Sequence, residues 1–230
     1  MSTIQEVAKR AGVSAGTVSR YLNGHQLKAS NRIRVEAAIE ELGYRSNYLA
    51  RSLRSKQSMS IGLLINNMLN HFAVSVVAQV EREMELNDYN IILSGFREDR
   101  EVFVRKLENL IDRRVDGLIL FEAIEDDRAR RLLEQSGIPT LSISNPLPYS
   151  CVDNMLAANR ASCREVTRRM IEAGHERIGI LAASQDEYVS RERLAGVLEA
   201  FDEAGLPRKN AVVRIGGYER ECGSVSYTHL

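Results

Sequence analysis

Arg20 lies one helical turn beyond the run Ala15, Gly16 and Thr17. A guanidinium in that position can pair bidentately with guanine O6 and N7, the commonest specific protein–DNA contact. On the alternative reading it clamps a phosphate. Ala15 and Gly16 carry no hydrogen-bonding side chain, so they permit close approach to base edges or touch a thymine methyl group. Catalytic chemistry finds no comparable pattern. The four histidines (His25, His71, His175 and His229) have no metal-ligand spacing. The three cysteines (Cys151, Cys163 and Cys222) are widely separated and read as reduced thiols, with neither disulfide framework nor metal site. No G-x-G-x-x-G follows a strand, and no G-x-x-x-x-G-K-[ST] occurs. The expectation is a protein that is not an enzyme and needs no metal or cofactor.

The elements around Arg20 fit that chemistry. Ile4, Val7, Ala8 and Ala11 share one face at helical spacing. Thr3 with Glu6 three positions on forms a capping-box pattern. Gly12 breaks this helix, Val13 plugs a core, and Ser14 caps a second helix with Val18 and Leu22 inward. Asn23-Gly24 is a turn signal. A third helix, roughly 31–42, buries Val35, Ala38, Ile39 and Leu42, with Gly43 suited to follow its end. Two short helices joined by a glycine turn and propped by a third are a helix-turn-helix architecture. The start of the second helix in such a motif enters the major groove.

Charge supports the same division. The 230-residue chain has 31 basic and 31 acidic residues and is formally neutral. The first 58 residues hold ten basic and four acidic residues (+6), and the remainder holds 21 and 27 (−6). A basic head on an acidic body suits a polyanion-binding module joined to one that does not bind polyanions. With 44% hydrophobic residues the chain can build a real core. No signal-peptide pattern and no run of roughly 18 apolar residues is present, so a cytoplasmic protein without membrane association is expected.

From Met59 the pattern alternates strand and helix. Strands are predicted at 61–65, 89–95, 117–121, 140–144, 177–183 and 212–216, each an apolar run bounded by turn residues. Helices are predicted at about 72–86, 100–113, 126–136, 155–173 and 190–204. Such alternation implies an α/β doubly wound parallel sheet, with site candidates in the loops after each strand.

The ordered string TIQEVAKRAGVSAGTVSRYLNG resembles the head motif of the LacI/GalR family of transcription regulators over its whole length. AIEELGYRSNYLARSLRS resembles that family's third helix and hinge. Two departures are local. Lys28 stands where the family usually has a Ser or Thr cap, so Ser30 or Asn31 is expected to cap the third helix. Ser46 stands where Pro is common, implying a freer hinge. The resemblance implies DNA contacts from Thr3, Ser14, Ala15, Gly16, Thr17, Ser19, Arg20 and Asn23. It also implies that Leu53, in the hinge, wedges between base steps in the minor groove; simple packing against the body is the alternative.

The body resembles the family's two-lobed sensor, which is like periplasmic sugar-binding proteins. Within IGLLINNMLNHFAV, Asn67, Asn70 and Phe72 match polar and aromatic site positions. Amides can exchange hydrogen bonds with sugar hydroxyls while a ring covers an apolar face. His71 replaces a usual Pro and Ala73 a usual aromatic. In SRERLAGVLEAF, Arg193 matches a position that holds sugar hydroxyls. Ser144 and Asp153, the latter in CVDN, complete the effector set. The alternatives are turn roles for Asn67 and Asn70, a core role for Phe72, an ion pair of Arg193 with Glu192 or Glu199, and a turn or cap role for Asp153.

The implied organisation is a helix-turn-helix domain (1–46), a hinge helix (47–58), a partial effector-binding α/β domain (59–221) and a non-native tail (222–230). The second lobe is expected to begin near Ser150 and to be incomplete, because the family continues well beyond this length. The implied function is a homodimeric regulator, a repressor by default. It would read a near-palindromic double-stranded DNA operator under control of a sugar-like small-molecule effector. The rival readings are a fragment keeping only head function and a sugar-binding protein of the same body fold.

Overall fold

The structure, a computed structural model, describes residues 2–22, 24–44, 57–68 and 71–216. It divides after Ser58 into two compact units.

The first unit holds three helices: α1 (Ile4–Ala11), α2 (Ala15–Leu22) and α3 (Ala29–Glu41). The Thr3 hydroxyl accepts from the Glu6 backbone N–H at 3.3 Å, and the Glu6 carboxylate accepts from the Thr3 N–H at 2.7 Å. Both bonds of the expected capping box are therefore made. Gly12 ends α1 at φ 62°, a left-handed conformation that glycine adopts without strain. The Ser14 hydroxyl then accepts from the Thr17 N–H at 3.1 Å, the expected cap of α2. Val7, Val18 and Val35, one from each helix, are wholly buried together with Ala8, Ala11 and Ala38. Helix α3 begins two residues earlier than the sequence implied. Lys28 is its N-cap, and no side chain caps it, so neither Ser30 nor Asn31 takes that role.

The second unit carries two parallel sheets. The first runs β2–β1–β3–β4–β5, built from β1 (Ser60–Ile65), β2 (Asn90–Gly95), β3 (Gly117–Phe121), β4 (Thr140–Ile143) and β5 (Val152–Met155). Helix α4 (His71–Leu86) follows β1, α5 (Arg100–Asp112) follows β2, and α6 (Asp127–Ser136) follows β3. One face of this sheet packs Leu64, Leu118 and Leu120 on Phe103, Leu107 and Leu110 of α5 and Leu133 of α6. The other face packs Leu63, Ile65 and Phe121 on Ala73, Val76, Val77 and Val80 of α4. Helices thus cover both faces, which explains why β1 and β3 read as near-continuous apolar runs.

The second sheet pairs β6 (Ile178–Ala182) with β7 (Ala211–Ile215). Beside it lie α7 (Asn159–Glu172) and α8 (Tyr188–Glu203). Ile178 and Ala211 pack on Val197 and Phe201 of α8. At Gly196 the two helices come so close that a Cβ there would lie 2.0 Å from the Arg160 carbonyl oxygen.

One strand escaped the sequence reading and moves two expected boundaries. VDNM carries a single buried residue, Val152, and no apolar run. It nonetheless pairs with β4, Asp153 opposite Leu141. Asn154 holds it by exchanging two hydrogen bonds with the Leu147 backbone, at 2.8 and 3.0 Å. The helix expected from 155 therefore begins at Asn159, and the first sheet extends through Met155, past the expected lobe start near Ser150. The expected hinge helix lies almost wholly outside the described residues, as does the tail 222–230.

Candidate functional site

In the head, α2 presents Ala15, Gly16 and Arg20 to solvent while Val18 faces inward. Thr17 and Ser19 are half-buried, and the Thr17 hydroxyl lies 3.0 Å from that of Ser14. The Arg20 guanidinium has no carboxylate partner among the described residues, so it projects free from the exposed face. Thr3 is exposed, but its hydroxyl is committed to the α1 cap. Asn23 and Leu53 lie outside the described residues.

Two bridges hold α3 against the other helices. The Arg10 Nε donates to Glu41 at 2.9 Å. The Tyr21 hydroxyl, on α2, donates to Glu36 at 2.9 Å, and the Arg32 Nε donates to the same oxygen at 2.8 Å. Hydrogen bonds from Arg32 and then Tyr21 hold the Glu36 carboxyl below the usual carboxylate range, so it stays charged as an anchor for α2. The helical pattern carries no sign of this role for Tyr21, because a partner on another helix is set by tertiary packing.

In the body, the carboxyl ends of β2, β3 and β4 bear four non-glycine residues with left-handed backbone: Arg97 (φ 51°), Glu98 (61°), Glu122 (56°) and Ser144 (75°). Such conformations persist only where surrounding structure imposes them, and they gather at ligand sites. Hydrogen bonds tie these loops together. The Asn66 Oδ1, just after β1, accepts from the Glu98 N–H at 2.7 Å. The wholly buried Ser142 donates to the Asn145 carbonyl at 2.7 Å, and the Asn145 amide donates to the Ala123 carbonyl at 3.3 Å. Burial, with the nearby charge of Glu187, pushes the Glu122 carboxyl above its ordinary range. Glu122 and Glu98 were not among the residues singled out from the sequence. The signal available for Glu122 was a charged residue directly after the apolar run GLILF.

Asn67 is half-buried and lines a cleft of about 920 Å³ with Asn66, Met68, Phe96 and Arg97. That volume falls in the range of small-molecule sites. Phe72 is 59% exposed and tilted against Phe121, with ring centroids 6.2 Å apart. It is therefore not core; Ala73 beside it is. Arg193 is exposed, and its Nε donates to the Asn159 Oδ1 at 2.9 Å. The alternative ion pair with Glu199 is not formed, because Arg160 takes that carboxylate. Ser144 is half-buried, and its N–H donates to the Met155 carbonyl at 3.2 Å. Asp153 is an exposed strand residue rather than a loop, turn or cap residue. Asn70 lies outside the described residues. Asn67 and Phe72 flank the end of β1, and Ser144 follows β4 on the same sheet. Arg193 lies on α8, beside the second sheet. No three His, Cys, Asp or Glu side chains are grouped to hold a metal among the described residues, and none of their helices is long and apolar enough to cross a membrane.

Residues 3–47 match the family model for bacterial regulatory proteins of the lacI family. Residues 58–225 match the model for periplasmic binding proteins and the sugar binding domain of the LacI family. The chain belongs to the LacI family. Among curated relatives, the ribose operon repressor of Escherichia coli is 32% identical over 95% of this chain and 67% of its own length. Catabolite control protein A of Priestia megaterium is 30% identical over 96% of this chain and 67% of its own. The probable HTH-type transcriptional regulator EndR of Paenibacillus polymyxa is 30% identical over 94% of this chain. The chain spans 65% of the EndR length. Among solved structures, the lac repressor dimer bound to operator and the anti-inducer ONPF superimposes with a TM-score of 0.81 at 26% identity, over 96% of this chain and 67% of that one. The LacI-family assignment thus covers both the helical head and the parallel α/β body.

Proposed function

We propose that this LacI-family chain is the DNA-reading and effector-sensing part of a sequence-specific transcription regulator, a repressor by default. The observation that carries the reading is the exposed face of α2. Ala15, Gly16 and an unpaired Arg20 stand outward on a head whose core is closed beneath them. Thr17 and Ser19 flank that face, while Ser14 and Thr3 set the helix ends from which backbone N–H groups reach phosphates. Asn23 and the Leu53 wedge belong to the same proposed interface.

The effector reading rests on the cleft beside the ends of β1 and β2, which Asn67, alone of the described effector candidates, lines. Asn67, Asn70, Phe72 and Ser144 would hold a sugar or related metabolite from the first sheet, with Arg193 from α8; Asp153 is the weakest member, being a strand residue. The relatives include a ribose operon repressor, and a regulator solved as a cellobiose complex superimposes with a TM-score of 0.64 at 28% identity. A homodimer fits the exposed apolar residues on α4 and the edge strand β2, where Leu86, Val74 and Leu93 are 73%, 45% and 42% exposed. Two heads on one two-fold axis would read a near-palindrome. Effector binding would then change the separation of the heads, a linkage between two distinct sites. The work is cytoplasmic and needs neither catalysis nor a cofactor.

Selection of a random duplex library at stated salt tests the reading, since the electrostatic part of binding falls steeply with salt. A near-palindromic consensus is expected, and a half-site alone would remove the dimer. Recovery of no sequence preference would remove the function. Arg20→Ala should cost about 1–3 kcal/mol of specific affinity at one base position. Equal losses on specific and random DNA would make Arg20 a phosphate clamp instead.

A further inference from the structure

The body is acidic overall, yet one corner of its cleft is cationic. Arg97 leaves β2 with left-handed backbone, and Arg105 and Lys106 lie in the second turn of α5; all three line the same 920 Å³ cleft. Elsewhere in the body, eight arginines are matched to carboxylates. None of these three makes a side-chain ion pair or hydrogen bond among the described residues. Two acids, Glu98 and Asp99, share the cleft wall, so the three cations leave it with a net positive charge. The Asp99 carboxylate is committed to the cap of α5 through the Val102 N–H at 3.0 Å. Lys106 is half-buried, and Arg97 and Arg105 are exposed. Clustered unpaired cations repel one another and are sustained where an anion neutralises them. Met68 and Val102 supply apolar wall beside them, and the Asn67 amide lines the same cleft.

We propose that this corner binds the phosphate group of a small phosphorylated metabolite, with Arg97, Arg105 and Lys106 as its cationic partners. A guanidinium fork matches phosphate oxygens bidentately, and an ammonium adds a point charge. The inference rests on the effector-controlled reading above and narrows its ligand to an anionic class.

The test is calorimetric titration of the full chain with inorganic phosphate, ribose 5-phosphate and glucose 6-phosphate, each against sodium chloride of equal ionic strength. Free ribose and glucose form the second arm. The variant R105Q/K106Q changes two helix positions outside the sheet core, and circular dichroism checks its fold. Phosphate or a sugar phosphate should bind, and the variant should weaken that binding at least tenfold. Phosphate binding that the variant leaves unchanged would overturn the site. Binding of free sugars with none of phosphate or sugar phosphates would overturn the anionic class while leaving the effector reading standing. Binding of neither arm would remove both.

Discussion

The two sheets of the body are written in similar residues and buried very differently. In the first, Leu64, Phe103, Leu107 and Leu120 are wholly buried, and helices press on both faces. In the second, the strands IGILA and AVVRI are as apolar as those of the first, yet Leu181 is 48% exposed and Ile215 61%. The best-buried strand residues there, Ile178 and Ala211, face α8. Apolar alternation therefore specifies that a strand forms. How much each side chain contributes depends on what the topology brings over it.

The sharpest way to break this comparison is at Phe103. It packs edge-on against Phe96, with ring centroids 5.0 Å apart, beneath the first sheet. Phe103→Ala should cost about 3–5 kcal/mol in urea unfolding, since the cavity cannot collapse against a sheet held on both faces. A loss below about 1 kcal/mol would mean that this core is as loose as the second sheet.

Gly196 offers the counterpart in the second sheet's surroundings. There α7 and α8 touch through backbone, and a Cβ would meet the Arg160 oxygen and lie 3.0 Å from the Arg164 nitrogen, neither of which can swing aside. Arg160–Glu199 and Arg164–Glu203 hold the same helices side by side. Gly196→Ala should cost about 1–3 kcal/mol through overpacking. Hydrogen exchange should locate the damage in 159–203 and leave β1 and β3 protected. Loss of protection across both sheets alike would show that they unfold as one unit.

A smaller effect, with a defined pH sign, comes from Asp126. This buried carboxylate caps α6 through the Arg128 and Ala129 N–H groups at 2.8 and 3.3 Å. The Arg128 side chain, with these backbone donors, holds it at about 2, below its ordinary value of 3.8. A depressed carboxylate stabilises the fold above its unfolded value, and that stability is lost as pH falls through the folded one. The contribution should thus be full above pH 4 and fade towards pH 2. Arg128 is 44% exposed, so solvent screening trims the effect to about 1–2 kcal/mol. Asp126→Asn should flatten the acid limb of stability between pH 4 and 2; an unchanged limb would assign acid loss to other carboxylates.

The same contrast explains what the sequence shows. Strands β1 and β3 and the three head helices were legible because burial on all sides, or capping by Thr3 and Ser14, leaves its mark in residue type. β5 was not, because an edge strand buried at Val152 alone needs no apolar run; backbone pairing and the Asn154 clamp make it. The start of α3 was misplaced because a cap was expected where packing alone suffices. Among the proposed site residues, Arg20 and Phe72 are exposed and Asn67 lines a cleft. The placement of Glu98, Glu122, Arg105 and Lys106 depends on which loops and helix turns converge, which no local pattern records.

The mildest substitution bears most directly on the uncovered sheet. Leu181→Ala removes a side chain that is already half in water, so its loss should be within about 0.5 kcal/mol. Urea unfolding at two protein concentrations measures it. A cost near 2 kcal/mol that grows with concentration would mean that a second copy covers this face in solution, since association stabilises by mass action. A similar cost independent of concentration would mean that the chain covers the face itself, and the two sheets would then be equals in burial. A negligible cost at both concentrations leaves the contrast as drawn. The same apolar alternation would then be worth several kcal/mol under α5 and almost nothing beside β7.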